Sequence, residues 1–194
     1  MLRLTFLAAL LLLVGAKAIA GPLHDAVSSG NVGDVKSVLA SGADPDALGE
    51  DGEPALNLAI LGNRASLVPI LLDSGANPSV RNRGGFTALH AAAYAGSPEV
   101  AIELLERGAD LDDNRNKSGV TPLVVAIEEG RLDFARILID RGARTNVLEN
   151  NGYSPLTRAV FTGNVEMIRL LKDAGAECQS AEVLGEVFHA KCVE

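Results

Sequence analysis

The sequence predicts an all-α solenoid of about five stacked helix-turn-helix units, and three observations carry that prediction. The dipeptide Gly-Ala recurs at Gly42-Ala43, Gly75-Ala76, Gly108-Ala109, Gly142-Ala143 and Gly175-Ala176, at intervals of 33, 33, 34 and 33 residues. A second anchor keeps step with it: Leu23, Leu56, Leu89, Leu123 and Leu156 each stand 19 residues ahead of a Gly-Ala. Hydrophobic residues make up 47% of the 194 residues, yet only 4% are aromatic and Trp is absent. A core so poor in rings must be filled by Ala, Leu, Val and Ile, which suits thin layers of closely packed helices.

Residues 1–20 read as a secretory leader. Arg3 supplies the positive start, Leu4 to Val14 is an uncharged apolar run, and Ala18-Ile19-Ala20 has the small-x-small pattern of a cleavage site. An uncleaved anchor is the alternative, but the run is short for about 30 Å of hydrocarbon. Cleavage would leave a chain beginning at Gly21. Of the 17 basic residues it would lose Arg3 and Lys17, leaving 15 against 25 acidic ones, a charge of -10.

The repeat units occupy residues 21–177. In each, the leucine anchor opens a first helix: Pro22-Leu23-His24, Ala55-Leu56-Asn57, Thr87-Ala88-Leu89-His90, Thr121-Pro122-Leu123 and Ser154-Pro155-Leu156. A Thr or Ser hydroxyl caps a free amide there, and Pro fits the first helical turn. Small residues such as Ala91-Ala92-Ala93 give that helix a face for close packing. Gly96, Gly130 and Gly163 end it, with Asn63 in the second unit, because these residues tolerate the left-handed conformation. A second helix follows, for example Val100 to Glu106, and the Gly of Gly-Ala stops it. Pro69 belongs near the first turn of its helix. A polar finger then leads to the next cap, with one extra residue between Asp112 and Ser118. Residues 178–194 break the period, and one last helix, roughly Ala181 to Ala190, is expected to cap the open end.

These anchors resemble the ankyrin repeat family, whose 33-residue unit carries T-P-L-H-x-A. Gly52, Gly85, Gly119 and Gly152 match the Gly of the family's D-x-x-G, and Gly108-Ala109-Asp110 and Gly75-Ala76-Asn77 match its close. The resemblance implies protruding β-turn fingers and a protein-binding concave face. Carried over position by position, that face comprises Leu48, Glu50, Asp51, Glu53 and Leu61 from the second unit. Arg81, Arg83, Phe86 and Tyr94 come from the third, and Lys117, Val120, Glu128 and Glu129 from the fourth. Leu148, Asn150, Asn151, Tyr153 and Phe161 come from the fifth. The rings Phe86, Tyr94, Tyr153 and Phe161 either anchor a partner or pack against the neighbouring finger and shield the core. The mixture of Arg81 and Arg83 with Glu128 and Glu129 reads as a solvated surface. His24 and His90 stand in the T-P-L-H slot, where the imidazole ties fingers together through backbone bonds.

Cys178 and Cys192 form an even pair in an exported chain and are expected to join in a disulfide fastening the cap. A metal- or redox-handling site of Cys178, His189 and Cys192 is the weaker alternative, since no two ligands have the tight spacing usual for zinc. The formal charge of -8 argues against nucleic acid and anionic lipid as partners. No phosphate loop, nucleophile elbow or metal-binding His pair is present in the sequence, so no catalytic residue and no cofactor is expected. The expected function is a monomeric, non-enzymatic module binding a protein partner. The short leader and small array fit a bacterial-type periplasmic protein, with secretion to act on another cell or host as the alternative.

Overall fold

Helices alternate with tight turns along the whole described chain. The computed structural model describes residues 21–193, so the leader reading at 1–20 lies outside the described residues. The first unit comprises α1 (Pro22–Ser29) and α2 (Val32–Ala40), and the second comprises α3 (Ala55–Leu61) and α4 (Val68–Asp73), the latter entered through a 3-10 turn at Ala65–Leu67. Next come α5 (Ala88–Ala95) with α6 (Pro98–Glu106), α7 (Pro122–Glu128) with α8 (Leu132–Asp140), and α9 (Pro155–Thr162) with α10 (Val165–Asp173). Pro69 lies in the first turn of α4, where its missing N–H is harmless.

The anchors do the physical work expected of them. Val124 N donates to Thr121 Oγ1, and Thr157 N donates to Ser154 Oγ, each filling an orphan at a helix start. Leu23, Leu56, Leu89, Leu123 and Leu156 are all buried. Each such burial contributes about 1.5–3 kcal/mol. Asn63 ends α3 with φ 55°. The Gly-Ala pair is a two-bond helix stop. At the end of α2, Gly42 N donates to the Leu39 carbonyl and Ala43 N to the Val38 carbonyl, with Gly42 at φ 92°. That bond pair requires a left-handed residue followed by an apolar one that tucks back on the helix. Ala76, Ala143 and Ala176 are accordingly buried.

First helices pack on first helices, in the order α1, α3, α5, α7, α9, and the second helices form an outer layer behind them. Between second helix and first helix, each unit extends a finger that turns at Gly52, Gly85, Gly119 or Gly152. In each turn the glycine N–H donates to the carbonyl three residues back, at Gly49, Asn82, Asn116 or Glu149. Clips sew the units together. His24 Nε2 meets the Glu53 carbonyl at 2.9 Å, Asn57 Nδ2 donates to the Phe86 carbonyl at 3.4 Å, and His90 Nε2 meets the Val120 carbonyl at 3.1 Å. The fourth unit has Val124 at the clip position and makes no such bond.

The terminal segment departs from the single helix expected over 181–190. It forms α11 (Ala181–Leu184) and α12 (Glu186–Val193), separated by Gly185 at φ 77° and ψ 152°. A helix cannot run through that extended ψ, so α12 turns back onto α9. Cys178 and Cys192 are joined, with their Cα atoms 5.9 Å apart. Gln179 stands in for a sixth unit: its Nε2 donates to the Gly152 carbonyl at 2.8 Å, and its Oε1 accepts from Ser154 N at 2.9 Å and from Thr157 Oγ1. Reducing this disulfide should destabilise the cap by about 3 kcal/mol, the loop-entropy value for a loop of this size. Amide exchange in α12 should accelerate with dithiothreitol while exchange in α5 stays unchanged. Two reactive thiols in the native, unreduced protein would contradict the pairing.

Candidate functional site

Two parallel rows of side chains line the groove between the finger bases and the first helices. One row, just before each first helix, is Glu53, Phe86, Val120 and Tyr153; the other, near each first helix's end, is Leu61, Tyr94, Glu128 and Phe161. The rows are in register because both recur with the repeat. At the fifth unit the rows meet: the Tyr153 and Phe161 rings stand edge to face, with centroids 5.1 Å apart. Phe188 of α12 adds a third ring, 4.9 Å from Phe161. At the third unit the Phe86 ring meets the His90 ring at 5.4 Å. Leu61, Phe86 and Tyr94 line one small cavity together with Glu53. Phe86, Tyr94, Tyr153 and Phe161 are all half-buried; Phe86, Tyr94 and Phe161 pack against the core, and Tyr153 packs on Phe161.

The charged groove residues are less solvated than their sequence pattern implies. Arg81 pairs with Asp113, a carboxylate 2% exposed. Burial opposes charge on Asp113, but hydrogen bonds from Arg115 and the Arg81 charge outweigh it and hold its carboxyl below the usual range. Glu128 lies 3.3 Å from Arg158 Nε, and burial pushes its carboxyl up despite that cation. Arg158 in turn bonds Glu149 through two nitrogens, Nε at 3.1 Å from Oε1 and Nη2 to Oε2. Arg81 and Glu128 are therefore members of ion pairs, which corrects their reading as a solvated face. Arg83 at the finger tip donates to the Glu50 carbonyl, and Asn150 Nδ2 donates to the Lys117 carbonyl at 3.0 Å, so both tips lean on their neighbours. Leu48 and Leu148 are exposed, as are Glu50, Asp51 and Asn151.

A family model for ankyrin repeats in three copies matches residues 23–115 and again 111–182. The chain belongs to the ankyrin repeat family. Its ankyrin array is 38% identical to the B-cell lymphoma 3 protein homolog of Mus musculus over 135 residues, 68% of this chain and 30% of that protein. It is 36% identical to the human ankyrin repeat and KH domain-containing protein 1 over 99 residues, covering 50% of this chain and 4% of the relative. A fowlpox virus putative ankyrin repeat protein is 32% identical over 125 residues, 64% of this chain and 28% of that protein. The chain thus spans under a third of the length of these relatives. Ankyrin repeats are protein-protein interaction modules, and no helix among the described residues is long and apolar enough to cross a membrane.

Residue spacing did not reveal three members of this ankyrin groove. Arg158 and Glu149 form its buried ion pair, and Phe188 reaches it from outside the repeat. The hydrophobic neighbours of Arg158 in α9 were the available signal, because a charge inside a buried helix needs a partner. The sulfurs of Cys178 and Cys192 are committed to each other, and His189 Nδ1 lies 2.9 Å from the Gln179 carbonyl. These three side chains do not converge as a ligand set. Among the described residues no group of three or more His, Cys, Asp or Glu side chains is arranged to hold a metal ion.

Proposed function

We propose that the chain is a non-enzymatic protein-binding module that acts outside the cytoplasm, in the periplasm, and holds a protein partner in the groove of fingers and first helices. The observation that supports it most is the pair of rows: Leu61, Phe86, Tyr94, Tyr153 and Phe161 put half-buried apolar surface on either side of the charged Glu128 of the fourth unit. Rigid rings on a fixed scaffold lose little entropy on binding and dominate interface energies. Two features support action outside the cytoplasm: the leader pattern of residues 1–20, and a disulfide that an oxidising compartment would preserve.

Crosslinking in the source cell, followed by purification of the crosslinked partner, tests the reading. Alanine at Tyr94 together with alanine at Phe161 is expected to weaken that partner's binding roughly 30-fold or more. Unchanged affinity in a folded double variant removes the groove as the binding surface. The same leader favours a second reading, a secreted factor acting on another cell or host. Fractionating periplasm from culture medium separates the two.

A further inference from the structure

α10 and α12 both pack on α9 rather than on each other. The space left between them is a cavity of about 540 Å³ that shares no lining residue with the two groove rows. Small-molecule sites occupy roughly 300–1,000 Å³. Its apolar lining comes from Val160, Val165 and Ile168. Its charged lining sets Arg169, Lys172 and Lys191 against the single carboxylate of Asp173, a local reversal of sign in a chain of formal charge -8. The ion pairs among the described residues use Arg81, Arg107, Arg115, Arg144 and Arg158 and leave these three cations out. Arg169 and Asp173 stand four apart on α10, a spacing at which opposite charges pair on a helix, yet they form no such pair. Lys191 lies 5.6 Å from the Phe188 ring centroid, a contact that leaves its charge uncompensated. Lys172 and Lys191 stand in the last turns of their helices, where a cation offsets the helix dipole. Arg169, in the middle of α10, has no such duty. Val165 is 67% exposed, and Arg169 and Lys191 are exposed as well, so a ligand can reach both linings from solvent.

We propose that this cavity binds a small amphipathic anion, an apolar chain ending in a carboxylate, of the fatty-acid class. The site is separate from the protein-binding groove and does not depend on it. Three observations select the occupant. Unpaired cations lining one concavity focus a positive field there, which favours an anionic head. The planar guanidinium of Arg169 can present parallel N–H groups to a carboxylate, and a lysine beside it supplies a point charge. The exposed Val165 and the half-buried Ile168 offer apolar surface that a hydrocarbon tail would remove from water. The volume suits one small molecule, and the acidity of the whole chain repels it from an anionic bilayer that would otherwise satisfy the same chemistry.

Isothermal titration of the full chain with decanoate, kept below its micelle concentration, tests the site. One decanoate is expected to bind per chain. Decanol keeps the tail without the charge and acetate keeps the charge without the tail, and each should bind about 10-fold more weakly or worse. The double variant Arg169→Gln, Lys172→Gln should weaken decanoate binding by about 10-fold as well, the range for losing hydrogen bonds to a charged group. Both positions lie on the helix surface, so its circular dichroism spectrum should match the parent's. Val165→Asp, at the first position of α10 where an acidic residue suits the helix, should abolish binding. Tyr94→Ala, in the groove, should leave decanoate binding unchanged. Decanoate that fails to bind, that binds the double variant equally well, or that decanol matches overturns the proposal and leaves the groove reading standing. Binding confined to phosphatidylglycerol vesicles also overturns it, by making the patch a membrane contact. Loss of decanoate binding in Tyr94→Ala overturns it by moving the anion to the groove.

Discussion

Replacing Arg158 with methionine is expected to lower the unfolding free energy by about 3–5 kcal/mol. Arg158 and Glu149 are 7% and 5% exposed, and two hydrogen bonds join them. Burial alone would disfavour the guanidinium charge, but the bonds and charge of Glu149, with Glu128 behind, outweigh it and raise the Arg158 pKa. The Tyr153 ring also packs against the guanidinium, 5.8 Å from its carbon. Removing the cation leaves the Glu149 charge inside the protein with no opposite charge on it, only the Asn151 Nδ2 hydrogen bond at 3.2 Å, and that is what makes breaking a buried pair costly. Adding Glu149→Gln to the methionine variant should recover much of the loss, because the stranded charge disappears. Urea unfolding of the two singles and the double closes the cycle. Equal stability of parent and methionine variant would contradict the buried pair.

Replacing His90 with alanine is expected to cost about 2–4 kcal/mol and to flatten the pH dependence of stability. The ring is 1% exposed, so its loss leaves a cavity as well as broken bonds. Thr87 N donates to Nδ1 at 3.3 Å, which makes Nδ1 an acceptor and Nε2 the protonated nitrogen facing the Val120 carbonyl. A proton on Nδ1 would turn this acceptor into a donor against a donor. Burial accordingly holds the His90 pKa below the ordinary 6.5, although the Val120 carbonyl and Asp113 pull it up and Arg81 adds to the lowering. The sign follows from linkage. Below about 6.5 the unfolded chain binds the proton that the folded chain refuses, so stability is full above that pH and falls as pH drops toward the folded value. Glu53 and Glu128, whose carboxyls are raised, act in the opposite direction at lower pH. Thermal melts of parent and His90→Ala between pH 7.5 and 5 should converge as the pH falls; parallel curves would remove the buried neutral imidazole as their cause.

The repeat was legible because each of its parts is local and recurs. Gly42-Ala43 and its counterparts report a helix stop that needs only the preceding turn, and Thr121 or Ser154 before proline reports a cap that needs only the next one. His24 and His90 were legible as clips because their acceptors sit one repeat further on. Other features obey no period. Arg158 and Glu149 are nine positions apart and meet only after the fifth finger folds over α9. Glu53 reads as an ordinary finger residue until the third unit closes over it. The terminal segment offers no frame at all, so the break at Gly185 and the return of Phe188 to Phe161 depend on packing alone. Of the groove, the four rings were legible, while the pairing of Arg81 with Asp113 and of Glu128 with Arg158 was not.

The Val124 position has an engineering consequence. Units one to three each offer a polar hook to the next, His24, Asn57 or His90, and each successor presents a backbone carbonyl to it, so this part of the joint does not depend on the successor's side chains. Unit four offers none, and its link to unit five includes a charge contact from Glu128 to Arg158, while Glu149 holds that arginine from within its own unit. Unit five moved to another neighbour would lose that contact. The first three joints keep a backbone clip whatever side chains follow, and the last two units travel as a matched pair.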